Sequence, residues 1–216
     1  MKKKIYLTAC LTALLLASLA CSVLDTEITP ELSQEVLFQD DFSDTSSGWD
    51  QFSDGDGLTD YQNGYYRIVI NAEEMDVWAN PGLMFRDVVV EVDATKAGGP
   101  DDNDLGVICR YQDVENFYFF IISSDGYYVV GKVVDGEQQL IGADQMYPSD
   151  AINQGAATNH IQAECVGSQL TFYVNGTMLS EVNDATYSDG DVGLIAGTFS
   201  EAGTEIHFDN FKVSMP

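Results

Sequence analysis

Basic residues are scarce. The 216-residue chain has nine Lys and Arg against 35 Asp and Glu, a formal net charge of −26. Three of those bases, Lys2, Lys3 and Lys4, sit together at the N-terminus, so the body of the chain is almost without cations. This balance argues against nucleic acid and anionic lipid as partners. Histidine is scarcer: His160 and His207 have no Cys or His at ligand spacing, so the pattern predicts no zinc-type cluster. No nucleophile elbow, phosphate loop or dinucleotide fingerprint appears. No stretch carries the apolar period of an amphipathic helix. The acidity does not imply disorder, because 45% of the residues are hydrophobic.

The N-terminus reads MKKKIYLTACLTALLLASLAC. A basic start, a short apolar run and small residues before a cysteine describe an export signal; the run is short for a bilayer. The end resembles a bacterial lipobox, with Ala20 before Cys21 and Ser22 after it, although Ser18 and Leu19 depart from the usual residues. We therefore expect a signal peptide over 1–20, a lipidated Cys21 opening an acidic linker to residue 35, and one domain over 36–216. The protein would then sit on the bacterial envelope, touching membrane only through its lipid. An ordinary cleaved signal and a free secreted protein is the alternative.

The body reads as short strands. Asn116 to Val134 (NFYFFIISSDGYYVVGKVV) is its centre: two aromatic and β-branched runs joined at Asp125-Gly126, which predicts a type I′ hairpin turn. Phe117, Phe119 and Ile121 share one face and Tyr118, Phe120 and Ile122 the other. Both faces are apolar, which places the strand mid-sheet, packed on one side and lining a covered or concave surface on the other. Val88 to Thr95 alternates, with Val88, Val90, Val92 and Ala94 predicted inward and Val89, Glu91, Asp93 and Thr95 outward. Further turns are predicted at Asp135-Gly136 and Asn175-Gly176, and one helical turn is allowed after Ser149. About a dozen strands separated by Gly, Asn and Asp turns predict an all-β sandwich of two antiparallel sheets.

Three sets of residues are candidates for chemistry. Asp54, Asp56 and Asp60 place oxygens at alternate positions of a Gly-rich loop, so a structural Ca²⁺ is a candidate there, while polar turn residues are the simpler reading. Asp101 to Asp104 is read as a second acidic loop. Cys109 and Cys165 lie on the apolar sides of two strands and form a disulfide candidate in an exported protein; two buried thiols are the alternative. Among 11 Tyr and two Trp, Trp78, Tyr118 and Tyr128 are singled out as ligand-face candidates, because rings offered on a face can stack on sugars.

The opening DDFSD, Gly48-Trp49, NFYFF, LTFYVNG and the closing HFDNFKV resemble the concanavalin A-like lectin/glucanase superfamily. More narrowly they resemble its bacterial laminin-G-like members, grouped with 3-keto-disaccharide hydrolase or family-16-like domains. The resemblance covers residues 36 to 216 and implies a jelly roll whose first and last strands pair. It also implies a test for catalysis. Retaining glucanases of the superfamily carry a nucleophile Glu, a helper Asp and an acid/base Glu along one strand. Glu91 and Asp93 take the first two positions, but Thr95 and Lys96 stand where the acid should be, and without it the leaving oxygen is not protonated. No catalytic residue is therefore assigned. The expected function is non-catalytic binding of extracellular carbohydrate. The alternatives are a saccharide-active hydrolase of the family-16-like type, or a structural or adhesive envelope module with protein partners.

Overall fold

The computed structural model describes residues 34–216. The leader and Cys21 lie outside the described residues. Sixteen strands run in chain order: β1 (Val36–Asp40), β2 (Phe52–Ser53), β3 (Gly57–Gln62), β4 (Tyr65–Ile70), β5 (Met75–Ala79), β6 (Val88–Gly98), β7 (Asn103–Asp113), β8 (Asn116–Ile122), β9 (Tyr127–Val134), β10 (Glu137–Leu140), β11 (Tyr147–Pro148), β12 (Thr158–Val166), β13 (Gln169–Val174), β14 (Thr177–Asn183), β15 (Asp191–Thr198) and β16 (Thr204–Ser214). No helix occurs among the described residues, and the stretch after Ser149 is a turn.

The strands form two antiparallel sheets. The nine-stranded sheet runs β14-β13-β12-β6-β16-β4-β3-β2, with β1 added on β16. The seven-stranded sheet runs β10-β9-β8-β7-β15-β5, with β11 on β9. β16 splits its outer edge: Thr204 to Phe208 pair with β4, and Phe211 to Ser214 pair with β1. A bulge at Asn210, where φ is 54°, separates the two halves. First and last strands thus pair, covering an edge that would otherwise be open.

The motifs of the first strand have a packing role. Asp40 accepts the Phe42 N–H at 2.8 Å and the Trp49 indole N–H at 3.0 Å. This seats Phe42 and Trp49 against each other and Trp49 against Phe211 of β16, at centroid distances of 5.4 and 4.8 Å. Between the sheets lie Tyr66, Ile68 and Ile70 of β4, the alternate valines of β6, and Tyr118, Phe120 and Ile122 of β8. The period-2 alternation of β6 appears from Val90 to Thr95: Val90, Val92 and Ala94 are buried, while Glu91, Asp93 and Thr95 are half-buried on the other face. Val89, expected outward, is buried like Val88 because the start of the strand is covered on both faces.

Cys109 on β7 and Cys165 on β12 are joined by a disulfide with Cα atoms 6.9 Å apart. It ties one sheet to the other through the core. The turns at Asp135-Gly136 and Asn175-Gly176 have positive φ at both residues, as a type I′ turn requires. Asp125-Gly126 differs. Only Gly126 has positive φ, and β8 joins β9 through four residues closed by the Gly126 N–H on the Ser123 carbonyl. The side chain of Ser123 bonds that of Asp125 and accepts the Tyr127 N–H, which favours the wider loop over the predicted two-residue turn.

Candidate ligand-binding face

A strand buried on both faces needs cover on both. The inner face of β8 faces the opposite sheet, and its outer face belongs to a second apolar cluster. Ile108, Phe117, Phe119, Ile121, Val129, Val133 and Ile195 are buried there, with Trp78, Tyr111, Ala143 and Met146 packed against them. The register shows how these residues line up. Trp78, Ile195, Gly106, Ile121 and Val129 lie side by side across five strands. The next row is Gly193, Ile108, Phe119, Gly131 and Leu140. Glycines recur in both rows. A Cβ at Gly131 would collide with the Phe119 ring, so that ring lies flat over the strand.

Trp78, Phe117 and Tyr111 form a ring series, with centroids 5.3 and 5.7 Å apart in successive pairs. Trp78 is half-buried; of two depressions on this face it lines one and packs against Phe117, which lines the other. One, about 260 Å³, is lined by Phe52, Met75, Val77 and Val114. The other, about 280 Å³, is walled by Phe117, Phe119, Ile121, Met146, Ile195 and Phe199. Its polar end is Glu74, Asp76, Asp104 and Gln138.

That polar end depends on Gly197. Asp76 of β5 and Asp104 of β7 flank Gly197 of β15 in register. Their carboxyl groups turn inward over it, and a Cβ at Gly197 would collide with Asp76 Oδ1 and Asp104 Oδ2. The Gln138 amide donates to Asp76 Oδ2 at 2.5 Å. Asp104 is 3% exposed, and its Oδ1 is buried without a hydrogen-bond partner. Burial first, then the charge of Asp76 and a hydrogen bond to it, raises Asp104 well above the usual carboxylate range. Asp76 is also raised by burial, which its bonds to Gln138 and Asp104 partly offset. Two carboxyl groups this close and this buried resist ionising together, so the pair takes up a proton more readily than either acid alone.

The residues singled out in the sequence fall in different places. Trp78 lies on this face. Tyr118 and Tyr128 do not: both point between the sheets. Tyr118 is fully buried, donating to Asp184 Oδ1 at 2.6 Å, and Tyr128 donates to the Leu179 carbonyl at 2.8 Å. Alternation puts them on the side where both sheets need cover. Asp54, Asp56 and Asp60 do not converge either. Asp54 Oδ1 accepts the N–H groups of Asp56 and Gly57, at 2.9 and 3.0 Å, so the loop is closed by a side-chain turn. Asp60 is engaged by both Nε and Nη2 of Arg67, at 2.9 and 2.8 Å. Among the described residues no group of three or more His, Cys, Asp or Glu is arranged to hold a metal ion. Asn103 and Asp104, read as loop, are buried strand residues of β7.

Glu91 and Asp93 lie on the outer face of the other sheet. There a cleft of about 490 Å³ is lined by Glu91, His160, Asn210 and Lys212, with Asp40 and Phe211. Lys212 reaches Glu91 at 2.5 Å, while Asp93 takes His160 Nδ1 at 2.8 Å and the Asn210 amide at 2.9 Å. The hydrogen bond with His160, then burial against it, and then Lys212 leave Glu91 below its ordinary value, and the same contacts raise His160. Glu91 Oε2 is ion-paired to Lys212 but, like Asp104 Oδ1, is buried without a hydrogen bond. What sets the seven-stranded sheet apart is its apolar ring-lined face beside a carboxyl pair with no cation on it among the described residues, and it is the better candidate for a ligand.

No family model matches the sequence, and no curated protein matches it. Solved structures match the fold. The carbohydrate binding module CBM66 from Bacillus subtilis aligns with a TM-score of 0.61 at 18% identity, over 77% of this chain and 95% of that one. A Bacillus subtilis protein of unknown function with a galectin-like fold aligns at 0.61 and 12% identity, over 85% and 97%. The Bacillus licheniformis β-glucanase aligns at 0.60 and 9% identity, over 85% and 100%. The chain has the concanavalin A-like jelly roll that such lectin and glucanase domains share.

Proposed function

We propose that this protein binds extracellular carbohydrate without cleaving it, and that the outer face of the seven-stranded sheet is the binding surface. One observation carries the reading: Trp78 stands half-exposed at the edge of an apolar face, two residues from Asp76 on the same strand, and that face also presents carboxyl and amide groups. Sugars present the same division, apolar C–H faces and hydroxyl rims. The fold is compatible, since it is shared with a carbohydrate binding module and glucanases. Two observations favour binding over hydrolysis. Asp76 Oδ1 and Asp104 Oδ2 lie within 2.2 and 2.3 Å of one point over Gly197, closer together than the roughly 5 Å needed to straddle a glycosidic bond. Glu91 is ion-paired, and no third carboxylate follows it on β6.

The leader supports placing the domain outside the cell: 1–20 as signal peptide, Cys21 as the acylated N-terminus, and residues to 35 as a tether for the domain over 36–216. In that setting the apolar face meets envelope or environmental glycans. The test is binding of the purified domain to a polysaccharide panel, with Ca²⁺ and with chelator, while released reducing sugar is measured. Saturable binding without release supports the reading. Released sugar overturns the non-catalytic part, and silence across the panel overturns the whole. Equal binding with Ca²⁺ and with chelator would set calcium aside.

A further inference from the structure

Among the described residues, every charged group lining the cavity walled by Phe117 and Phe119 is an acid. Glu74, Asp76 and Asp104 line it, and none of the described Lys, Arg or His residues does. The adjoining depression, which shares Met146 and Phe199, adds Asp102 and Asp125. Asp104, one of the lining residues, carries in Oδ1 an acceptor removed from water with no donor on it. A buried orphan acceptor costs free energy that a ligand donor would recover. A neutral hydroxyl satisfies the oxygen but leaves the acid pair uncompensated. An ammonium group satisfies both, and charge-assisted bonds in a dry site are the stronger kind. A bare divalent ion fits less well. It requires six or more oxygens, whereas the walls here are Phe117, Phe119, Ile121 and Ile195.

We propose that the Asp76–Asp104 pair anchors a protonated primary amine, so that the glycan bound on this face carries free amino sugars. The inference rests on the carbohydrate reading and narrows it. The sugar ring packs against the apolar walls beside Trp78 while its ammonium donates to Asp104 Oδ1 and to Asp76. On binding, a proton that the pair has taken up leaves for solvent, because the ammonium replaces it as the shared donor.

The experiment is calorimetric titration of the full domain with four probes of matched ring size: glucosamine oligomers, N-acetylglucosamine oligomers, glucose oligomers and cyclohexylamine. Wild type is compared with Asp104→Asn, Asp76→Asn and Asp54→Asn, the last a charge-matched control on an exposed loop. The expected result is a preference for glucosamine over its N-acetylated counterpart of about tenfold or more. That preference collapses in Asp104→Asn and Asp76→Asn and persists in Asp54→Asn. The heat should vary with the ionisation enthalpy of the buffer, reporting the released proton. Equal binding of all three oligomers, or an amine preference that survives both Asn substitutions at the pair, overturns the proposal while leaving the glycan reading intact. Binding of cyclohexylamine alone, lost with Asp104→Asn, keeps the amine anchor and overturns the glycan reading. Silence toward all four probes overturns both.

Discussion

Asp76 and Asp104 lie on strands that never touch, yet their carboxyl groups meet over Gly197 on the strand between. Each is raised by burial, Asp104 the more. A carboxyl whose native value lies above its unfolded one contributes stability that is fully present below about pH 4. That contribution is lost as pH rises toward and through the raised native value. Asp104→Asn keeps the shape, can donate an amide hydrogen to Asp76 and removes the more strongly raised of the two titrating groups. The variant should therefore melt above wild type at neutral pH, with a gap that shrinks toward pH 4. Thermal melts from pH 4 to 8 check this. A gap that grows toward acid would show that the pair is not protonated as described.

Gly197 is the geometric condition for the pair. Gly197→Ala places a methyl group where the two carboxyl oxygens now lie. The acids must part or the strand must shift, at about 1–3 kcal/mol. Urea unfolding should show that loss, and in the Asp104→Asn background Gly197→Ala should no longer alter the pH dependence of stability. A full pH effect of Gly197→Ala in that background would mean that the glycine acts elsewhere.

How far such features can be read from sequence differs by scale. The both-sided apolar character of Phe117 to Ile122 and the alternation of Val90 to Thr95 were legible, because a two-residue period is a local property. Pairing of Val36–Asp40 with the closing strand followed from the resemblance. Which face of β8 meets the other sheet was not legible: Tyr118 and Phe119 look alike in sequence, and only the packing of two sheets separates them. The Asp76–Asp104 contact was invisible, since it joins two segments through a third far along the chain. A faint signal existed. In Val192-Gly193-Leu194-Ile195-Ala196-Gly197 two glycines interrupt one face of an otherwise buried strand, and glycine inside a strand marks a close approach.

The disulfide provides a test of the sandwich itself. Cys109 and Cys165 are 56 residues apart and bridge the two sheets. Closing a loop of that length restricts the unfolded chain by about 4 kcal/mol in the entropic account. The paired variant Cys109→Ala/Cys165→Ala should lose stability of that order in urea, and reduction should do the same to wild type. Insensitivity of wild type to reductant would mean that the bridge is not formed in the purified protein.

Lys132 and Asp184 form an ion pair at 2.6 Å, with side chains 17% and 15% exposed. Burial pushes Asp184 up, but bonds from Lys132, Thr186 and Tyr118 outweigh it and hold the carboxyl well below the usual range. The stability this contributes is present above about pH 4, the unfolded value, and is lost as pH falls through the depressed native value. Lys132→Met leaves the carboxylate without its cation and should cost about 3 kcal/mol at neutral pH. The difference from wild type should narrow in acid, as the carboxylate is protonated. Denaturant titrations at pH 7 and pH 3 measure it; a constant difference would place the role of Lys132 in packing alone.

Trp78 and Tyr118 separate the ligand face from the core. Trp78 is half-buried on the outer face; it lines one depression and packs against Phe117, which lines the other. Removing it with Trp78→Ala takes away a stacking platform while leaving the inter-sheet core in place. Glycan affinity should fall about tenfold or more, in line with what a well-placed aromatic contributes at a binding surface, with a smaller effect on melting. Tyr118→Phe is the converse. It deletes the hydroxyl that donates to Asp184 and accepts the Tyr187 N–H at 3.0 Å, but it touches nothing on the outer face. Burial raises that hydroxyl to about pKa 12, so it is protonated and donating at any pH at which the protein is handled. Its loss should lower stability by roughly 1–3 kcal/mol, because Asp184 and the Tyr187 N–H lose a buried partner, and should leave glycan affinity unchanged. The two variants together discriminate the surfaces. If Tyr118→Phe weakens glycan binding as much as Trp78→Ala, affinity reflects general integrity of the sandwich, and the outer face of the seven-stranded sheet has no special claim to the ligand.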